Sequence, residues 1–98
     1  NVISTVAYND LDDVFVYPNP VRPEFNGEVK ISGLMESSIV KITDVSGQLV
    51  YETTSSGGTV TWNTYNFAGN KVPSGVYMIF ITSQDGSLDG VKKVMIIR

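Results

Sequence analysis

Two groups of aspartates are the residues of this chain most able to do chemistry. Asp10, Asp12 and Asp13 form an acidic cluster, and Asp85 and Asp89 flank a glycine turn. Clustered carboxylates can bind calcium, and two facing carboxylates can hydrolyse a glycosidic bond. The cluster lacks the glycine and the distal glutamate of a hand-type calcium loop. Asp85 and Asp89 are better suited to accepting hydrogen bonds from the backbone of their own turn. Neither group of aspartates therefore predicts a calcium site or a catalytic pair.

The side chains that most often catalyse reactions are absent. The 98 residues include no histidine and no cysteine, which removes the usual general base, the common nitrogen ligand of metals and the thiol nucleophile. We therefore expect no enzyme, no cofactor and no metal site. The 7 basic residues are scattered among 10 acidic ones, which also argues against nucleic-acid binding.

Apolar residues alternate in short blocks between turn residues, which predicts strands rather than helices. No apolar run approaches the ~18 to 20 residues that span a bilayer. Seven such strands predict an all-β fold, an immunoglobulin-like Greek-key β-sandwich. The strands are expected at about Val14–Tyr17, Gly27–Ser32, Ser38–Val45, Gln48–Thr54, Thr59–Asn63, Gly75–Ser83 and Gly90–Ile97.

The chain divides into two parts by composition. Residues 1–13 mix small polar and apolar residues and are predicted to be a linker or a short edge segment, whereas residues 14–98 form the sandwich. Because the first residue is Asn rather than Met, we expect a segment of a longer polypeptide. The large side chains expected in the core are Trp62, Tyr17, Tyr51 and Tyr77.

Six motifs follow one another in a recognisable order. They are VYPNPV at 16–21, VKISGL at 29–34, VKITDVSGQLV at 40–50, Trp62, GNKVPSGVYMIFI at 69–81 and KKVMIIR at 92–98. Together they resemble the C-terminal sorting domain, or secretion tail, of type IX secretion substrates. That family has an immunoglobulin-like fold related to the hook-capping domain of flagellar assembly. The resemblance covers about Val14 to Arg98.

The resemblance implies a recognition signal rather than an enzyme. In that family the outer-membrane translocon recognises the folded tail and exports the passenger. A sortase then usually removes the tail and joins the passenger to surface lipopolysaccharide, although some members keep the tail and act in the machinery. The implied partners are type IX translocon and sortase components. The implied location is the periplasm in transit, then the outer membrane surface or the medium. We expect a monomer or weak dimer, without nucleic acid or direct membrane insertion.

Several motif residues are expected to shape turns. Pro18 and Pro20 lack the backbone N–H of other residues, so the first strand must end there. Asp44 can accept hydrogen bonds from its turn while Gly47 adopts a positive φ, which closes a hairpin. Pro73 and Gly75 form a similar corner before the longest apolar strand, and Tyr77 in that strand is the remaining structural residue of the motif.

The last two strands are apolar on both faces, although a sandwich strand should be polar on its outer face. The terminal run is expected to pair with Gly75–Ser83 and to bury Val94 and Ile96. Its other residues would face outward, so that charge reversal at Lys93 and Arg98 should leave stability nearly unchanged. Loops or the amino-terminal segment could instead cover this surface. The candidate recognition residues are Met78, Phe80, Lys92, Lys93, Met95, Ile97 and Arg98.

Two other functions remain open at this point. A carbohydrate-binding or adhesive module would use exposed aromatic rings, and Tyr65 and Phe67 are the pair that could form such a platform. An assembly-cap domain of a flagellum-like structure would share the fold.

Overall fold

The computed structural model describes residues 14–25, 27–84 and 89–98, so the predicted linker at 1–13 and Asp85 lie outside the described residues. Within these ranges the secondary structure consists of strands, and none of it is a helix long and apolar enough to cross a membrane. The prediction of an all-β chain with seven strands is confirmed. The strands are β1 (Phe15–Tyr17), β2 (Val29–Ser32), β3 (Ile39–Thr43), β4 (Leu49–Thr54), β5 (Val60–Trp62), β6 (Gly75–Thr82) and β7 (Asp89–Ile96).

The strands form two antiparallel sheets that pack face to face. The smaller sheet has the order β1-β2-β5 and the larger has the order β4-β3-β6-β7. The chain crosses between sheets after β2, after β4 and after β5, as expected for a Greek-key sandwich. A bulge in the β3–β4 pairing follows Ile42 and shifts the register by one residue before the hairpin turn.

The core lies between the two sheets and is centred on Trp62, which is fully buried. The Trp62 ring stacks on Tyr51 with centroids 6.4 Å apart and meets the edge of Tyr77 at 5.8 Å. Its indole Nε1 donates to the carbonyl oxygen of Tyr65 at 3.0 Å, so the polar tip of the buried ring is satisfied. The aliphatic part of the core is Val14, Val21, Val29, Ile31, Leu34, Val40, Ile42, Val50, Val60, Val72, Ile79, Ile81, Val94 and Ile96.

The prediction that Tyr17 belongs to the core is wrong. The β1–β2 register places Tyr17 opposite Lys30 and Val16 opposite Ile31. Because side chains alternate between the two sides of a strand, Val16 faces the core and Tyr17 lies on the solvent side of the smaller sheet, where it is 47% exposed.

The segment between β1 and β2 passes along the edge of the larger sheet before the chain returns to the smaller one. The Tyr17–Pro18 and Asn19–Pro20 peptide bonds are both cis. Beyond them, Val21 forms a parallel bridge to Ile96, at the outer edge of β7 in the larger sheet. The two ends of the domain are therefore joined by backbone pairing.

Candidate functional site

The terminal strand β7 is held along its whole length by β6. Their register runs from Gly75 opposite Ile96 to Thr82 opposite Asp89. Val94 and Ile96 point into the core and are almost completely buried. The expected pairing of the terminal run and the expected burial of these two residues are confirmed.

An apolar surface covers the opposite side of the same two strands. Phe80, Val91 and Met95 are 42%, 43% and 46% exposed, and Met78 and Val76 are half-buried among them. We use the term outer face for the solvent side of the larger sheet, formed in its middle by Lys41, Val76, Met78, Phe80, Val91, Lys93 and Met95.

Strand register sets the neighbours on the outer face. Phe80 lies between Lys41 on β3 and Val91 on β7. One step along β6, Met78 lies opposite Lys93 on β7. Both lysines are exposed, one on each side of β6, and Lys41 also lies opposite the exposed Glu52 on β4.

Lys92 does not share the outer face with Lys93. It has the parity of Val94 and Ile96, lies opposite the buried Ile79, and is itself half-buried. Ile97 follows the end of β7 and is also half-buried. The candidate recognition residues are thus divided between two sides of the strand, because successive side chains point in opposite directions.

Arg98 is exposed, yet its polar groups are bound to the domain. The Nε atom donates to the carbonyl oxygen of Val72 at 2.8 Å, and a terminal nitrogen donates to the carbonyl and hydroxyl oxygens of Thr64 at 3.3 and 3.2 Å. The backbone N–H of Arg98 donates to Ser74 Oγ at 2.8 Å. These bonds contradict the premise that Arg98 only faces outward, so we now expect charge reversal at Arg98 to lower stability.

The segment at Pro18–Val21 binds the outer edge of β7. The Asn19 side chain acts like a peptide group: Nδ2 donates to Lys93 O at 3.0 Å, and Oδ1 accepts from Met95 N at 3.1 Å. Val21 continues the pairing, donating to Met95 O and accepting from Ile97 N, both at 2.7 Å. Sequence reasoning assigned the two flanking prolines to the strand end but did not find this role for the asparagine between them.

The β3–β4 hairpin turn is organised by Asp44. Its Oδ1 accepts from Ser46 N at 2.9 Å, Ser46 Oγ at 2.6 Å and Gln48 N at 3.0 Å, while Gly47 has φ +92°. The Ser46 hydroxyl bond, with help from the backbone bond of Gln48, lowers the pKa of the Asp44 carboxyl below its ordinary value.

A second turn repeats this geometry at Asn66–Asn70. The sequence predicted a turn at Ala68–Asn70 but did not assign this role to Asn66. Asn66 Oδ1 accepts from Ala68 N at 2.9 Å and Asn70 N at 3.0 Å, and Gly69 has φ +85°. The shared pattern of Asx, two residues and glycine was the available signal. The second residue of this turn, Phe67, is 65% exposed.

A groove of about 450 Å³ opens between the two turns. Val50, Val72 and Tyr77 contribute to its apolar wall. The Tyr77 hydroxyl donates to Pro73 O at 2.6 Å, which ties the start of β6 to the corner before Gly75. Burial raises the pKa of Tyr77, the charge of Asp44 adds to this effect, and that of Arg98 opposes it.

The exposed aromatic rings do not follow the carbohydrate-binding expectation. Phe67 is exposed at a turn tip, whereas Tyr65 is half-buried and bridges to Lys71. A different pair, Phe15 and Tyr17, lies exposed on the outer side of β1. In the described ranges, no three acidic side chains are grouped as a metal site requires.

Comparison with known proteins relates the chain to secretion machinery. The secretion system C-terminal sorting domain family matches residues 15–97. Among solved structures, the chain is similar to PorZ, an essential bacterial surface component of the type IX secretion system of Porphyromonas gingivalis. The identity is 41%, the TM-score 0.83, and the match covers 92% of this chain and 12% of PorZ. No curated protein sequence matches the chain.

Two more distant structures share the fold. Dimeric latent PorU from Porphyromonas gingivalis has 23% identity and a TM-score of 0.57, with 86% of this chain and 9% of PorU covered. The BSP domain of a biofilm-associated protein has 22% identity and a TM-score of 0.58, with 96% and 16% covered. The chain therefore corresponds to a small part of each of these proteins.

The match over residues 15–97 includes both sheets, the Asp44 turn and the terminal strand. A sorting domain is not itself catalytic, and its function takes the protein that carries it to the outer membrane or the cell surface. The chain belongs to the secretion system C-terminal sorting domain family and is a sorting signal of type IX secretion, as its ordered motifs indicated.

Proposed function

We propose that residues 14–98 direct an attached passenger from the periplasm through the outer-membrane translocon of the type IX system, and that a sortase then acts at residues 1–13. The family match and the similarity to PorZ support the secretion route. The partners in this proposal are the translocon and the sortase. The passenger, rather than the sandwich, would carry any further activity.

One structural observation supports this function above the others. The terminal strand combines a buried side, which holds it in the sandwich, with an exposed side that carries Val91, Lys93 and Met95. A signal at the end of a chain must be both folded and accessible. Because successive side chains of a strand point in opposite directions, β7 presents one side to the core and the other to a partner, so it meets both requirements.

A reporter fusion tests the proposal. Residues 1–98 would be joined to the carboxyl end of a reporter carrying a periplasmic export signal, in a bacterium with a type IX system. We expect the reporter at the cell surface or in the medium, and in the periplasm when the translocon is deleted. Retention in the periplasm of both strains, with the tail folded and intact, would contradict the function.

Mass spectrometry of the released reporter tests the sortase step. Proteases cut extended, accessible backbone, and the composition of residues 1–13 predicts a linker, so the cut is expected within that segment. A cut between Val29 and Ile81 would rule out this part of the proposal.

A further inference from the structure

The terminal strand β7 lies at one edge of the larger sheet. The sheet has the order β4-β3-β6-β7, and in the described part of the chain no further strand of this sheet lies beyond β7. An edge strand presents a row of N–H and C=O groups to which another chain can add a strand. This risk is greatest where the edge strand is long, regular and apolar.

The end of β7 has these properties. The strand has 8 residues and pairs with β6 without a shift of register. Charged residues interrupt it at Asp89, Lys92 and Lys93, but the stretch Val94–Ile97 contains four apolar residues and neither charge nor proline. Arg98, which follows, uses its guanidinium in bonds to other residues of the domain. Strand-forming segments without charge or proline pair readily with other strands, so this stretch is the part most open to strand addition.

The opposite edge of the sheet is protected by its own sequence. β4 has 6 residues, its pairing with β3 shifts register after Ile42, and the exposed Glu52 places a charge within it. Bulges and charges are two of the devices that keep edge strands from pairing with other chains. The stretch Val94–Ile97 has neither device, so its protection depends on another part of the fold.

The segment after β1 occupies this stretch of the edge. Alternate residues of a strand direct their backbone groups to the same side, and on the outer side of β7 these groups belong to Lys93, Met95 and Ile97. Asn19 binds Lys93 O at 3.0 Å and Met95 N at 3.1 Å through its side chain. Val21 binds Met95 O and Ile97 N through its backbone, both at 2.7 Å. Four consecutive outward groups are therefore bound within the chain.

The same segment offers little to a further strand. Pro18 and Pro20 have no backbone N–H, and the N–H of Val21 already donates to Met95 O. Asn19 binds the edge through its side-chain amide rather than its backbone. A segment of this composition ends a sheet instead of extending it.

We propose that the Pro18–Val21 segment caps the edge of β7 and prevents a second copy of the chain from adding its own β7 there. The cap depends on Asn19, which supplies two of its four hydrogen bonds. The occupant of an uncapped edge would be a second β7, because two identical uncharged strands pair readily when their edge groups are free. This role concerns self-association and is independent of the export route.

Sedimentation of residues 1–98 tests the cap. Asn19 is exposed and lies outside the core, so Asn19→Ala frees Lys93 O and Met95 N without removing a core contact. We expect the dimer dissociation constant to fall by about tenfold or more relative to the unmodified chain. Asn66→Ala is the matched control, because it also removes two hydrogen bonds of one asparagine side chain, in a turn outside β7. Circular dichroism and thermal unfolding would verify that each variant is folded.

A second change tests whether the association uses the edge. Met95 N–H points away from β6 and donates to Asn19, so proline at this position removes no bond to β6 and blocks strand addition. Asn19→Ala with Met95→Pro should therefore restore the dissociation constant of the unmodified chain. Asn19→Ala with Met95→Lys should do the same by placing a charge within the stretch, and it replaces the proline variant if that variant does not fold.

Four results would overturn the cap. The first is a folded Asn19→Ala chain that associates no more tightly than the unmodified chain, and the second is an unmodified chain that already dimerises as tightly as this variant. The third is a dimer of Asn19→Ala that persists in the folded second-site variants at Met95, since the contact would then lie elsewhere. The fourth is equal association of Asn66→Ala, which would indicate general loosening of the domain.

Discussion

The guanidinium of Arg98 donates to the carbonyl oxygen of Val72 at 2.8 Å, across 26 positions of sequence. The same side chain reaches Thr64, a buried residue with φ +67°. A β-branched residue rarely adopts this conformation, so the loop needs stabilising contacts from elsewhere. The last residue of the chain provides them, and it is therefore part of the fold.

Replacement of Arg98 should destabilise the domain. Arg98→Ala removes the guanidinium bonds to Val72 and Thr64, and we expect a loss of about 1.5 to 3 kcal/mol of unfolding free energy, since hydrogen bonds to charged groups contribute in this range. Arg98→Lys should restore part of the lost stability, because the lysine ammonium can donate hydrogen bonds but lacks the planar guanidinium that donates to two groups at once. Urea unfolding would measure the free energy of unfolding of both variants. Arg22→Ala is the control at an exposed arginine, and an equal loss there would contradict the prediction.

Asn19→Ala should open the edge of β7 locally. Met95 N–H donates to Asn19, whereas Ile97 N–H donates to the backbone of Val21 and keeps its acceptor. Amide hydrogen exchange followed by NMR should therefore show faster exchange at Met95 and a smaller change at Ile97. Equal acceleration of both amides would mean that the whole Pro18–Val21 segment detaches.

The Asp44 turn should make stability depend on pH. Its carboxyl has a lowered pKa in the folded state, so its contribution is complete above the unfolded pKa of about 3.9 and is lost as pH falls through the folded value. Asp44→Asn keeps an Oδ1 acceptor, as Asn66 does in the second turn, but cannot titrate. We expect a flatter stability profile below pH ~4 for Asp44→Asn than for the unmodified chain. Parallel profiles would contradict this role of Asp44.

Truncation of two neighbouring residues of β7 should lower stability by very different amounts. Ile96→Ala creates a cavity in the core and should cost about 2 to 5 kcal/mol of unfolding free energy. Met95→Ala removes a side chain that is 46% exposed and should cost less than about 1 kcal/mol. Thermal unfolding compares them, and a larger loss at Met95 would contradict the assignment of the two faces.

Local patterns in the sequence determined the strands and their turns. Alternation of apolar residues predicted seven strands, and the parity of Val94 and Ile96 predicted their burial correctly. That parity also applies to Lys92, so the sequence contained the signal that separates it from Lys93. Asx and glycine spacing marked the Asp44 turn and is repeated in the second turn, which was predicted at Ala68–Asn70 without a role for Asn66. Each of these features depends on residues within a few positions of one another.

Only the tertiary structure decided which apolar residues are exposed and which polar residues hold the ends together. Alternation divides a strand into two faces but cannot say which one is buried when both are apolar, as in β1 and β6. Pairing with β2 turned Tyr17 outward, and packing against the smaller sheet turned Tyr77 inward. Asn19 and Met95 are 76 positions apart, so their hydrogen bond exists only because the fold brings β7 beside the Pro18–Val21 segment.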